Sequence, residues 1–407
     1  MQKEIFEKIK RLSENYREYS TKNLSKIIQT KAFSNNERDR ILLLKKMCKK
    51  AGADEIRIDG LGSLLVRVGS GSKKIVIDAH IDTVGVGDLK LWEKNPFSGQ
   101  IDTDYVYGRG ASDQLAGAAS MITAIKILKD IEYKGLNDYC VWFSFTVTEE
   151  DCDGLCWKYL IEEENFKPNF FISTEPTSLR IYRGHRGRME IEVIIKGISC
   201  HGSAPERGVS AAYLASKAAL AIEKLNNDLK PDKDNFLGKG TITVSLMQVN
   251  GPSQCSVPDY ARLYLDRRLT EGETMQIAIE QVKKYVAEFT GLSENEFEVN
   301  VPIYKQPSWK NKIFTQNLYF PTWVFPETDT IIETAKQTYV NLFEKEPSVD
   351  KWTFSTNGVA VAGLYNVPSM GFGPGDEKEA HAPNEKVRID DLVKASSFYA
   401  GFPFMIK

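Results

Sequence analysis

Val141-Trp-Phe-Ser-Phe-Thr-Val-Thr-Glu149-Glu150 is an apolar run that ends in two adjacent carboxylates. A short run of β-branched and aromatic residues closed by acids reads as a strand delivering side chains at its carboxyl end. In an open α/β sheet that edge is where ligands bind. A pair of acids there can divide two tasks. Metal-assisted hydrolysis needs one carboxylate to hold the cation and another to stay off it and handle a water proton. Neighbouring residues point in different directions, so Glu149 and Glu150 can serve both from one turn.

Four other segments place a histidine or an acid at a strand or loop junction. Lys73-Lys-Ile-Val-Ile-Asp-Ala-His80-Ile-Asp82-Thr83 ends a β-branched run in His-x-Asp, and it holds one of only four histidines in the chain. His80 can ligate a metal through one ring nitrogen while Asp82 fixes its tautomer. Val106-Tyr-Gly-Arg-Gly-Ala-Ser-Asp113-Gln-Leu-Ala-Gly117 is a tight glycine loop ahead of a helical stretch to about Lys129, where an acid either caps the helix or binds metal. Pro168-Asn-Phe-Phe-Ile-Ser-Thr-Glu175 is again strand then acid, and a Gly/Pro-rich loop from Pro368 leads to His381 and Glu385. Two histidines and several carboxylates at strand ends suit a pair of zinc ions sharing one carboxylate.

These residues resemble the co-catalytic zinc peptidase and deacylase family that includes acetylornithine deacetylase and succinyl-diaminopimelate desuccinylase. The resemblance covers nearly the whole chain: His-x-Asp-Thr at 80–83, Gly-Arg-Gly-x-x-Asp at 108–113, Glu-Glu at 149–150, Glu175 and His381. It implies that His80, Asp113 and Glu175 hold one zinc and that Asp113, Glu150 and His381 hold the other. Glu149 is then the general base, and Asp82 orients His80. Within the family the chain is most similar to the selenium-metabolism-associated hydrolases, through Arg186–Glu190, Ser199–Gly208, Trp352–Gly358 and Gly373–Glu377.

The same resemblance gives His201 an oxyanion-stabilising role in the partner subunit's site, reached from a lid domain that mediates dimerisation. Arg268 aligns with an arginine that binds a substrate carboxylate, a task its planar fork suits, with Arg267 as its competitor. Asn357 is a further substrate-binding candidate, standing where several relatives carry an acid. Cys255 occupies a place where many relatives have a substrate-contacting asparagine, so substrate preference does not transfer with the zinc chemistry.

At 407 residues the chain exceeds one ordinary core, which makes two domains the expectation. The expected fold is α/β: a zinc-peptidase-like catalytic domain with a mixed sheet flanked by helices (1–184 and 303–407). A smaller α+β lid and dimerisation domain (185–302) interrupts it, with strands at Glu190–Lys196, Thr241–Val249 and Ala261–Arg268 and helices at about Val209–Asn226 and Thr274–Phe289. Pro302–Glu327 reads as a return linker packed on the catalytic domain. A formal charge of −2 gives no support for nucleic-acid binding, and no stretch is apolar enough to span a bilayer. The charged amino terminus is not a signal peptide, and six irregularly spaced cysteines read as reduced thiols, so a cytoplasmic location is expected. The expected activity is hydrolysis of an amide-type C–N bond in a small carboxylate-bearing substrate by a homodimer carrying two Zn2+, for which cobalt or manganese can substitute. A carboxypeptidase or dipeptidase is the alternative enzyme, and a non-catalytic metal-stabilised binding protein the alternative from another class.

Overall fold

The computed structural model describes residues 2–231 and 235–406. The chain divides into two compact units: Met1–Gly184 with Lys305–Phe314 and Val324–Lys407, and His185–Tyr304 with Thr315–Trp323.

The first unit is built on a mixed sheet. Its strands run in the order Glu55–Ile58, Leu64–Val68, Tyr139–Thr146, Lys73–His80, Phe170–Ser173, Ser369–Gly371 and Ile181–His185. The four from Tyr139–Thr146 to Ser369–Gly371 are neighbours and mutually parallel. All eight residues of Tyr139–Thr146 are buried, as a central strand covered on both faces requires. The side-chain period of two sorts them. Ile75, Ile77, Phe143 and Phe145 join the core beneath helices that include Ala116–Asp130 and Ile389–Gly401, whereas Val76, Trp142 and Phe171 pack with Cys156, Trp157 and Leu160 of the helix Leu155–Glu162. The helix Ala116–Asp130 is apolar on nearly every side and is correspondingly buried. Three layers result, and the parallel strands direct their carboxyl ends to one edge.

The second unit is an antiparallel sheet in the order Phe297–Asn300, Gly187–Lys196, Tyr260–Leu269 and Thr241–Asn250. Strict alternation buries Met189, Ile191, Val193 and Ile195 from one strand and Ala261, Leu263 and Leu265 from its neighbour, against helices Ala211–Asp228 and Met275–Thr290. Ser210 and Thr274 cap those helices through their hydroxyls, accepting from the amides of Tyr213 and Ile277. Pro302–Glu327 does more than link. Tyr319–Phe320 adds to the second unit's sheet beside Gly187–Lys196, while Trp309 and Lys310 hydrogen-bond Gly62 and Asp59 of the first. Two aromatic residues with β propensity took an open sheet edge, which a linker reading of their composition overlooked.

Candidate metal centre

Each of the four parallel strands ends at a chemically equipped residue or loop. Lys73–His80 terminates in His80 itself, Tyr139–Thr146 runs into Glu149-Glu150, Phe170–Ser173 into Glu175, and Ser369–Gly371 into the loop that carries His381. Asp113 arrives from the turn before Ala116–Asp130. Its carboxylate caps nothing, for that helix has no side-chain cap. One oxygen, Oδ1, lies 3.0 Å from His80 Nε2, and the other, Oδ2, lies 3.4 Å from His381 Nε2. Glu175 Oε1 stands 3.7 Å from His80 Nε2 and Glu150 Oε2 stands 2.9 Å from His381 Nε2. The ligand-type atoms therefore fall into two trios that share Asp113: His80, Asp113, Glu175 and Asp113, Glu150, His381. Glu149 joins neither trio; its Oε2 is 3.8 Å from His80 Nε2.

The electrostatics of this cluster ask for cations. Burial works against a charge on His80, yet Glu149, Glu175 and Asp113 outweigh it and hold its pKa well above the usual value. Hydrogen bonds donated to the Asp113 and Glu150 carboxylates raise His381 to about 10. Burial pushes Glu149 and Glu175 well above the carboxylate range, and crowding by other acids adds to it. Glu175 Oε2 is buried with no hydrogen-bond partner among the described residues. An excess of buried carboxylates over histidines, with an orphaned oxygen on one of those acids, fits divalent cations.

The supports behind the trios were only partly visible in sequence. Asp82 holds His80 chiefly through its backbone: His80 Nδ1 lies 3.0 Å from the Asp82 carbonyl and 3.5 Å from the carboxylate. That carboxylate accepts instead from Ser34 Oγ at 2.7 Å and from the amides of Glu149 and Glu150 at 3.3 and 3.1 Å, so it also fixes the Glu-Glu turn. Glu37, raised to about 8 by burial and by Asp82, accepts from the amide of Thr148. The acidic residue of Gly-x-x-Asp needs a partner too, and buried Glu385 supplies it by accepting from the Gly110, Ser112 and Asp113 amides. Ser34, Glu37 and Glu385 carry no local motif; each is defined by a partner distant in sequence.

Asn357, expected to touch substrate, is buried instead. Its Oδ1 accepts from the Gly154 amide and its Nδ2 donates to Asp78 and Thr146, which leaves it a network residue under the sheet edge. In the second unit, Arg267 and Arg268 separate by strand alternation. Arg267 follows Leu263 and Leu265 inward and pairs with Glu273, while Arg268 faces the other way, 32% exposed and paired with Asp266. The Arg267 fork is thus occupied by partners within its own unit. His201 lies in an exposed loop with Nδ1 2.7 Å from Ser203 Oγ. The fourth histidine, His185, is buried and accepts from Trp323 Nε1.

The model of peptidase family M20/M25/M40 matches residues 76–403. The chain belongs to this peptidase family. Membership makes it a metal-dependent hydrolase of amide-type C–N bonds. Among its relatives within and beside the family, the protein YgeY of Escherichia coli K12 is 42% identical over 399 residues, covering 98% of this chain and 97% of that one. The metallohydrolase MJ0457 of Methanocaldococcus jannaschii is 30% identical over 351 residues, 80% of each chain. The crystal structure of aminopeptidase PepT from Bacillus cereus shares the fold, with a TM-score of 0.72 at 20% identity over 96% of this chain and 98% of that one. Within this M20 fold, no helix among the described residues is long and apolar enough to cross a membrane.

Proposed function

We propose that the chain is a dizinc amidohydrolase acting on an N-acyl or N-carbamoyl amino acid or a short peptide, as a cytoplasmic homodimer. The observation that carries the reading is the division of labour at the first unit's strand edge: two trios share Asp113 while buried Glu149 belongs to neither. His80, Asp113 and Glu175 would hold one ion, and Asp113, Glu150 and His381 the other. When bound, such a pair supplies Lewis acidity that polarises a carbonyl and brings the pKa of water toward ~7. Glu149 takes the proton of the attacking water and returns it to the leaving nitrogen. Asp82 keeps the Glu149 backbone and the His80 ring in register for that transfer.

Arg268 and His201 enter through the family resemblance, Arg268 to meet the substrate carboxylate and His201 to stabilise the oxyanion across the dimer. Their exposure supports the assignment, since both side chains stand clear of a core. Zinc is favoured by the mixture of imidazole and carboxylate ligands. Free cysteines at all six positions favour a reducing compartment. Placement with the selenium-metabolism-associated hydrolases rests on the four runs quoted from the sequence.

The test is a mass-spectrometric screen of zinc-loaded protein against pooled N-acyl amino acids, ureido acids and dipeptides, with Glu149→Ala beside it. Cleavage in one pool that the variant loses, while the variant keeps its metal, is the expected result. Equal turnover by the variant would remove Glu149 from the mechanism. Silence in every pool from metal-replete, folded protein would favour a binding role.

A further inference from the structure

Two ligands of one trio, Asp113 and His381, sit on loops rather than at the end of a strand. A loop residue keeps a ligand's geometry only if something else holds the loop. The Glu385 side chain is wholly buried, and its carboxylate accepts from three amides and one guanidinium. Its Oε1 accepts from the amides of Ser112 and Asp113 at 2.8 and 3.0 Å, and its Oε2 accepts from the Gly110 amide at 2.8 Å. The remaining donor is Arg109 Nη1, also at 2.8 Å. Arg109 is itself buried, and its fork continues to the other loop. Nη1 donates to the Ala382 carbonyl and Nη2 to the His381 carbonyl, both at 3.2 Å. The Trp92 ring lies 5.2 Å from the Arg109 guanidinium carbon and covers it.

We propose that the Glu385–Arg109 pair is a positioning clamp that sets the spacing between Asp113 and His381 and so builds one of the two metal sites. This rests on the dizinc reading. The other trio has less need of the clamp. His80 is the last residue of an eight-residue strand, and Glu175 stands two residues beyond one, so both inherit their positions from the sheet. Asp113 is common to both trios, but only the His381 trio has two members hung on loops that meet through Glu385 and Arg109. Loss of the clamp therefore acts unequally. The His381 site weakens and the His80 site largely persists, because an outer partner of a metal ligand is worth about 10–100-fold in affinity.

Planarity decides the choice of residues. A lysine at 109 keeps the charge but cannot reach Glu385 and two carbonyls in one plane. A glutamine at 385 keeps the shape but replaces two acceptor oxygens by one acceptor and one donor, setting N–H against N–H.

The test is a stepwise Co2+ titration of the full chain followed by visible absorption and by bound-metal counting, on wild type, Glu385→Gln and Arg109→Lys, with circular dichroism as the fold control. Two binding steps are expected in wild type. In either folded variant one step should weaken by about 10–100-fold while the other holds. Two unchanged steps in a folded variant overturn the clamp while leaving the dizinc reading intact. Equal weakening of both steps also overturns it, because that reports general loosening. If Glu385→Gln does not fold, Arg109→Lys decides by the same criteria. A wild type that takes up one ion or none overturns the dizinc reading, and the clamp with it.

Discussion

Removal of Arg267 and removal of Arg268 should give opposite phenotypes, although the two are adjacent in sequence. The Arg267 guanidinium has no solvent exposure. It pairs with Glu273 and donates to Gln281 Oε1 at 3.2 Å, to the Thr241 carbonyl at 3.3 Å and to the Arg268 carbonyl at 3.0 Å. Arg267→Ala leaves the Glu273 carboxylate and those acceptors without their donor. Breaking one partner of a buried pair costs about 3–5 kcal/mol. The Arg268–Asp266 pair is a third exposed on both sides, so solvent discounts it to about 0–1 kcal/mol. Chemical denaturation monitored by fluorescence should show a large loss for Arg267→Ala and almost none for Arg268→Ala. Kinetics on the substrate found by the screen should reverse the order, with KM raised for Arg268→Ala. Equal stability losses would refute the strand-alternation argument, and an unchanged KM in Arg268→Ala would remove it from substrate recognition.

Asp59 should make stability depend on pH. Burial pushes its pKa from 3.8 to about 6, against hydrogen bonds from the Gly62 and Ser63 amides, and its Oδ2 has no partner among the described residues. A carboxyl raised on folding contributes stability that is full below the unfolded pKa and lost as pH climbs through the folded one. Between about pH 4 and pH 7 wild type should therefore lose roughly 2 kcal/mol relative to Asp59→Asn, at ~1.4 kcal/mol per decade; parallel denaturation profiles at the two pH values would contradict this. His201→Ala should fold and bind metal as wild type does but turn over about 10²–10³-fold more slowly, the worth of one oxyanion donor, and an unchanged kcat would place it off the reaction path.

The layers of both units were legible because burial follows period. Met189 to Ile195 and Ala261 to Leu265 alternate cleanly, and the same alternation, carried two residues further, already points Arg267 inward. The composition of the trios was legible because four of the five residues follow apolar strands or close a glycine loop, where a polar side chain has few structural reasons to stand. His381 lies well beyond its strand, and it was reached through its Gly/Pro setting and the family resemblance. Asn357 failed for the opposite reason. A resemblance fixes a position in an alignment, but burial is decided by what packs around it, and here Asp78 and Thr146 claim the amide.

Arg109 and Glu385 both stand in segments the sequence singles out, but their pairing lay beyond sequence reading in principle. Glu385 has three backbone amides as partners, and amides leave no trace in a residue pattern. Its side-chain partner Arg109 is 276 positions away. Residue type marks a ligand because few side chains bind metal. It does not mark a support, because any buried acceptor facing any donors can serve. The chemistry of this protein is thus written in its strand ends, and the precision of that chemistry in contacts that appear only once the chain has folded.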